Sequence, residues 1–248
     1  MTVSVVMVHG IRTSATMWRA QTAYLRERGV AAYPLDLPGH GARMAEEFTL
    51  DEAFATIDRA VRRAAEDGPV ILVGHSMGGL LCIEYAGREP QPPIAAFVAA
   101  SCTAFPRGMA LATYRALTRS ADVLPGRAMW AADYILDRTL PLDTRYDFGA
   151  GGYALDTQHV ALRALSALDL AAAASRIRVP TWFVNGQYDQ LRVNERRFVQ
   201  LVPGSELIVV PRTSHLVTAM RPEVFNAVLN LAIAVVERDA GAGASAGT

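Results

Sequence analysis

Residues 70–80 constrain the fold most, because a short apolar run is followed at once by a serine between two glycines. Residues 70–73 read Val-Ile-Leu-Val, which is typical of a strand buried on both faces. Gly74 and Gly78 flank Ser76 in the pattern Gly-X-Ser-X-Gly, which predicts a sharp strand-to-helix turn. Such a turn places the serine hydroxyl beside a helix N-terminus, where backbone N–H groups favour a developing oxyanion. A glycine- and serine-rich loop without chemistry is the alternative for the motif taken alone.

Strand and helix signals alternate through most of the chain. The strongest helix signal covers Leu50–Glu66, with Thr49 as its N-cap, and the last predicted helix ends near Glu237. This alternation predicts an α/β fold with a doubly wound, mostly parallel sheet. The predicted strands are Val3–Val8, Val30–Leu35, Val70–Val73, Ile94–Ala100, Thr181–Asn185 and Glu206–Val210.

Residues 103–168 interrupt the alternation because they contain no convincing buried strand. A long insert without strands inside a compact domain is usually a functional lid, and a helical decoration packed away from any site is the alternative. Helices are predicted around Leu111–Thr118, Arg127–Leu136 and Thr157–Leu168, with a glycine-rich turn at residues 149–152. We therefore expect a core of residues 1–102 and 169–238, a helical cap of residues 103–168, and a disordered Gly/Ala/Ser-rich tail of residues 239–248.

Composition argues against several classes of function. The 248 residues carry a formal net charge of +0 and no basic run, so we expect no nucleic-acid partner. The chain has no lysine, which excludes P-loop lysine chemistry and Schiff-base catalysis. Cys82 and Cys102 lie in apolar surroundings without metal-site spacing, so we expect reduced core cysteines and no metal. No signal-like segment and no apolar run of about 18 residues occurs, so we expect a cytoplasmic protein without a membrane span.

A serine hydroxyl becomes a nucleophile only when a positioned base takes its proton and a third group orients that base. His215 is the best base, because it follows the last predicted strand. Asp189 is the best acid, because it follows the strand before that one, while Asp36 and Asp122 are the alternatives. The oxyanion should bind the backbone N–H groups of Met77, directly after the serine, and Ile11, in the loop after the first strand.

Five motifs in order give the chain its resemblance to a known family. They are residues 8–10 (Val-His-Gly), 36–41 (Asp-Leu-Pro-Gly-His-Gly), 74–79 (Gly-His-Ser-Met-Gly-Gly), 185–189 (Asn-Gly-Gln-Tyr-Asp) and 214–215 (Ser-His). With these motifs the chain resembles the α/β-hydrolase superfamily, and within it the small serine esterases with a helical cap. The resemblance implies a sheet of about six strands and a cap over Ser76. The chain departs from the pattern at Ser214, where many relatives have glycine.

The triad and the resemblance together predict a serine hydrolase that cleaves a carboxylic ester through an acyl-enzyme, with no cofactor. An acyl thioesterase or a lactonase is the alternative. A C–C hydrolase, a perhydrolase, a hydroxynitrile lyase and a non-catalytic ligand receptor are less favoured. The composition of the insert favours a mostly apolar, uncharged small-molecule substrate, and the chain is expected to be a monomer or a homodimer. The predicted substrate pocket comprises Met109, Met129, Trp130, Tyr134 and Leu216.

Overall fold

Six strands form one sheet in the computed structural model, which describes residues 2–108, 112, 115–116, 119–120 and 122–245. The sheet order is β2-β1-β3-β4-β5-β6, and neighbouring strands pair in parallel throughout. The predicted doubly wound, mostly parallel sheet of about six strands is thus confirmed. The strands are β1 (Ser4–Val8), β2 (Ala31–Leu35), β3 (Val70–His75), β4 (Ala96–Ala100), β5 (Thr181–Gly186) and β6 (Glu206–Val210).

Helices cover both faces of the sheet. The α-helices are α1 (Arg19–Arg26), α2 (Leu50–Ala65), α3 (Met77–Ala86), α4 (Met129–Thr139), α5 (Leu142–Gly149), α6 (Gln158–Leu165), α7 (Leu170–Arg176), α8 (Glu195–Leu201), α9 (Val217–Met220) and α10 (Pro222–Ser245). One core cluster packs α2, α3 and α6 to α8 on one face, and a second packs α1 and α10 on the other. In the described part of the chain, no helix has the length and apolar character that a membrane span requires.

Helix α2 shows how local signals and burial agree. The Thr49 side chain accepts a hydrogen bond from the backbone N–H of Glu52 at 3.2 Å, as the predicted cap requires. The helix then turns one apolar stripe to the sheet, because residues three and four apart share a helix face. The buried side chains of that stripe are Ala53, Phe54, Ile57, Val61 and Ala64.

Parallel pairing brings the carboxyl ends of all six strands to one edge of the sheet. His75 pairs with Ala100 at the end of β3 and β4, and Gly186 pairs with Val210 at the end of β5 and β6. Strand β1 lies between β2 and β3. The chain therefore adds β2 on one side of β1 and all later strands on the other side. Ligand sites in open α/β sheets lie at such a switch point, outside the carboxyl ends of the strands.

Residues 103–168 lie between β4 and β5, and their described part is helical without a strand. We call this segment the insertion. A short 3₁₀ helix (Pro125–Ala128) precedes α4, and α5 and α6 follow. Helix α5 was not predicted, and most of the helix predicted at Leu111–Thr118 lies outside the described residues.

The last helix is longer than the sequence predicted. Helix α10 continues to Ser245, whereas its end was expected near Glu237. The added segment contains several alanines, which are the best helix formers. The tail predicted over residues 239–248 therefore begins inside this helix.

Candidate active site

Ser76 sits at a strained turn between β3 and α3. Its φ is 52° and its ψ is −118°, a left-handed backbone conformation that residues other than glycine seldom adopt. The turn packs closely on β1, because a Cβ on Gly78 would lie 2.4 Å from the backbone oxygens of Val8 and His9. The motif glycines are thus required for close backbone contact, and the predicted strand–turn–helix is present.

The structure brings Ser76, His215 and Asp189 together. The Oγ of Ser76 lies 2.9 Å from Nε2 of His215, and Nδ1 of His215 lies 3.0 Å from Oδ1 of Asp189. A carboxylate only accepts hydrogen bonds, so Nδ1 carries the proton. Nε2 is then free to accept the serine proton, which is the tautomer that a general base needs.

Asp189 is buried, with 4% of its surface exposed. Burial opposes the charged form, but the hydrogen bond from His215 and the backbone N–H of Leu191 outweigh it and hold the pKa of Asp189 below its usual value. The Leu191 N–H donates to Oδ1 at 2.8 Å. The acid is therefore a carboxylate at neutral pH and can stabilise a positive charge on His215.

The loops that carry the acid and the base are joined by backbone hydrogen bonds. The N–H of Tyr188 donates to the carbonyl of Thr213 at 2.8 Å, and the N–H of Arg212 donates to the side-chain oxygen of Gln187 at 3.0 Å. The loop that contains Ser214 is therefore held by hydrogen bonds to the loop that carries Asp189.

Two backbone N–H groups are available near the serine hydroxyl. Ile11 and Met77 line the same cavity as Ser76 and His215. Neither N–H donates to another described residue. Met77 is also the first residue of α3, where the helix dipole favours negative charge. This arrangement can hold an oxyanion, and the oxyanion hole formed by Ile11 and Met77 stays a prediction.

Two buried histidines lie beside the site and hold its loops together by hydrogen bonds. His9 donates from Nδ1 to the Gly10 carbonyl and accepts the Leu37 N–H at Nε2, and burial lowers its pKa to about 3. His75 donates from Nε2 to the carbonyl of His215 at 2.9 Å, and burial and the nearby His215 lower its pKa to about 4. The His75 ring packs against that of His215, with 5.2 Å between the ring centroids.

The alternative acids have other partners. The two carboxylate oxygens of Asp36 accept the N–H groups of Ala15 and Ala42, at 2.7 Å and 2.9 Å. Asp122 pairs with His159 inside the insertion. Among the described residues, no group of three His, Cys, Asp or Glu side chains is arranged to hold a metal ion.

The cavity above Ser76 has two lobes that share Ile11, Ser76, Gln190 and His215. The first lobe is apolar, and its other lining residues are Met77, Leu80, Ala104, Phe105, Pro106, Leu162, Leu165 and Leu191. The second lobe is more mixed, and its other lining residues are Gly10, Arg12, Thr13, His75, Met129, Ala132, Ile135, Leu136, Phe148, Tyr153 and Leu216. Both lobes are formed jointly by the sheet-edge loops and the insertion.

The predicted pocket is only partly correct. Met129 and Leu216 line the second lobe. Trp130 and Tyr134 do not, and they are 67% and 57% exposed. They lie about 100° or more around α4 from each residue that lines the cavity, and an apolar composition alone could not separate the two faces. Met109 lies outside the described residues.

Several lining residues were not identified from the sequence. Leu162 and Leu165 on α6 and Phe105 after β4 form much of the first lobe. The signal for Leu162 and Leu165 was the helix predicted at residues 157–168, whereas Phe105 lies outside the predicted helices. Arg12 was missed because only the backbone of its loop had been considered.

The sequence matches a model of the alpha/beta hydrolase family over residues 5–228. The chain belongs to this family. Its curated relatives include the probable esterase PIR7A of Oryza sativa subsp. indica, 37% identical over 100 residues, which cover 39% of this chain and 38% of the relative. Lipase LipV of Mycobacterium tuberculosis is 33% identical over 88 residues, covering 35% of this chain and 33% of the relative. The matched segments thus span less than half the length of these relatives.

Solved structures of other proteins show the same fold over nearly the whole chain. MenH from S. aureus superposes with a TM-score of 0.76 at 20% identity, covering 96% of each chain. An esterase from Thermogutta terrifontis superposes with a TM-score of 0.75 at 21% identity, covering 95% of this chain and 91% of the other. At identities this low, the superpositions establish the fold of the chain and do not identify its substrate.

Proposed function

We propose that this hydrolase cleaves a carboxylic ester by nucleophilic attack of Ser76. The observation that carries the proposal is the continuous chain from Ser76 Oγ to His215 Nε2 at 2.9 Å and from His215 Nδ1 to Asp189 at 3.0 Å. The esterase and lipase names of the curated relatives support an ester as substrate. The chemistry requires no metal or organic cofactor.

In the acylation step, His215 takes the hydroxyl proton as Ser76 Oγ attacks the ester carbonyl. The carbonyl oxygen becomes an oxyanion that accepts the N–H groups of Ile11 and Met77. Asp189 holds the imidazole and stabilises the imidazolium that forms. The proton on Nε2 then passes to the leaving alkoxide as the carbonyl–oxygen bond breaks.

In the deacylation step, water takes the place of the alcohol. His215 removes a proton from the water, which attacks the acyl carbonyl and forms a second oxyanion in the same hole. Collapse of this intermediate breaks the bond to Ser76 Oγ, and the serine regains its proton from His215. The products are an acid and an alcohol.

The insertion acts as a cap in this proposal. Helices α4 and α6 supply lining residues to the second and first lobes, respectively. The apolar first lobe suits a hydrocarbon group of the substrate, since burying each CH₂ gains about 0.8 kcal/mol.

The experiment is trapping with a fluorophosphonate, followed by peptide mass spectrometry, alongside hydrolysis of p-nitrophenyl esters of two to eight carbons. We expect one adduct per chain on Ser76, multiple turnovers on at least one ester, and a loss of about 10⁴-fold or more in kcat for Ser76→Ala. Thioester and lactone substrates in the same panel separate the thioesterase and lactonase alternatives.

Two results would contradict the proposal. The first is an absence of labelling and of ester turnover, and the second is an adduct on another residue with full activity in Ser76→Ala. A burst of product equal to the amount of protein, with no later turnover, would instead identify a single-turnover receptor.

A further inference from the structure

Arg12 follows Ile11 in the loop after β1 and lines the second lobe beside Ser76 and His215. Its side chain is half-buried. Among the described side chains that line the two lobes, only that of Arg12 carries a permanent charge. A substrate bound to Ser76 therefore lies beside a fixed cation.

The loop and the insertion hold Arg12 in place from two sides. Its φ of 67° is left-handed, and its carbonyl accepts the N–H of Ala154 at 3.0 Å. Its Nε donates to Oε1 of Gln158, a fully buried residue at the start of α6. Strained residues that are held in this way cluster at binding sites, since the surrounding contacts must maintain the strain.

The charged end of Arg12 has no acceptor among the described residues. Its two terminal nitrogens make no hydrogen bond there, and no described carboxylate lies within 4.0 Å of it. The Nε2 donor of Gln158, on the same amide that holds Arg12, is also without a partner. Because Arg12 lines the second lobe, a ligand bound there can supply the acceptor.

We propose that the substrate is an ester bearing a carboxylate, and that Arg12 binds this carboxylate while the apolar first lobe holds the rest. A guanidinium matches a carboxylate with two parallel hydrogen bonds, which gives both energy and orientation. The inference rests on the proposed function of Ser76. It replaces the uncharged substrate expected from the insertion's composition, because Arg12 lies in the loop after β1 and outside that segment.

The test uses two pairs of esters that differ mainly in one carboxylate. The first pair, p-nitrophenyl hemiglutarate and p-nitrophenyl valerate, places it on the acyl side. The second pair, 4-carboxyphenyl butyrate and 4-methylphenyl butyrate, places it on the alcohol side. We expect Arg12→Gln to lower the anionic-to-neutral ratio of kcat/KM by about 10- to 100-fold in one of the pairs.

Two further variants make the result specific. Arg12→Lys keeps the charge without the planar fork, so it should retain part of the preference. Arg19→Gln removes a surface arginine that pairs with Asp147 and should leave the ratio unchanged. High salt should lower the wild-type ratio of kcat/KM for the anionic over the neutral ester, because salt screens a solvent-accessible ion pair between Arg12 and the carboxylate.

Binding provides a second measurement that does not depend on turnover. Glutarate should bind to Ser76→Ala in isothermal titration, and adding Arg12→Gln should abolish or strongly weaken that binding. The inference is overturned if, for both pairs, the ratio of kcat/KM for the anionic over the neutral ester is the same in wild type and Arg12→Gln. An equal loss of kcat/KM on both esters of a pair would also leave this ratio unchanged and would count against the inference. A wild type that hydrolyses neither member and is not labelled at Ser76 would instead contradict the proposed function, while the glutarate titration still tests Arg12.

Discussion

The sheet edge and the insertion supply opposite halves of the cavity, and they hold their residues in different ways. At the sheet edge, strand register and backbone hydrogen bonds hold Ser76, Asp189 and His215 within hydrogen-bonding distance. The insertion contributes side chains from helices, and it leaves large apolar residues such as Trp130 and Tyr134 exposed. The proposed reacting groups are thus held at the ends of paired strands, whereas part of the wall around the substrate comes from helices of the insertion.

The largest loss of kcat should follow from a substitution at the sheet edge that preserves the shape of the side chain. Asp189→Asn should lower kcat by about 10³- to 10⁴-fold, because an amide can donate to His215 and stabilise the wrong tautomer. The matched control is Asp36→Asn, since the Asp36 carboxylate accepts the backbone N–H groups of Ala15 and Ala42, whereas that of Asp189 accepts a hydrogen bond from His215. Steady-state kinetics on a neutral p-nitrophenyl ester measures both. If Asp36→Asn caused the large loss and Asp189→Asn did not, the assignment of the acid would be wrong.

The sequence predicted the sheet edge well for a physical reason. Gly78 is needed for close contact with the backbone at the end of β1, and Gly74 for close contact with the start of α3, so a short motif was enough to predict the turn. Asp189 and His215 each follow a strand, and parallel pairing takes all strand ends to one edge. Chain order was therefore enough to predict which side chains meet.

The insertion was predicted less well because its geometry depends on how helices pack. Met129 and Trp130 are neighbours in sequence, yet one lines the cavity and the other is largely exposed. Apolar composition does not specify which face of α4 turns inward. Arg12 was missed for a related reason, since only the packing of α6 and its Gln158 shows where the guanidinium is held.

A change inside the first lobe should alter selectivity much more than rate. Leu162→Ala removes apolar volume from the wall that α6 contributes. We expect the ratio of kcat/KM for an octanoyl over a butyryl p-nitrophenyl ester to rise about tenfold, since the enlarged lobe accommodates additional CH₂ groups.

Val160→Ala is the matched control for this change, because Val160 lies on the same helix and is 47% exposed. It should leave the chain-length profile as it is. Identical profiles for Leu162→Ala and the wild type would show that the first lobe does not hold the acyl chain, and would weaken the role of the insertion as a cap.

The smallest effect concerns the buried histidines at the sheet edge. The pKa of His75 falls from 6.5 to about 4 and that of His9 falls from 6.5 to about 3 in the folded protein, mainly through burial. Below pH 6.5 the unfolded chain takes up protons that the folded chain does not, so the free energy of unfolding should fall as pH drops from 6.5 towards 4. Each histidine contributes at most about 1.4 kcal/mol per pH unit in this window.

Urea unfolding at several pH values from 7.5 to 4.5 measures this slope, and His75→Gln tests its origin. The variant should lose stability less steeply with acid than the wild type, because one of the proton-uptake sites of the unfolded chain is gone. If the free energy of unfolding has the same slope against pH in the wild type and in His75→Gln, then His75 is protonated to the same extent in the folded and unfolded states. In that case the sheet edge around His75 would be more accessible to water than the burial of this histidine implies.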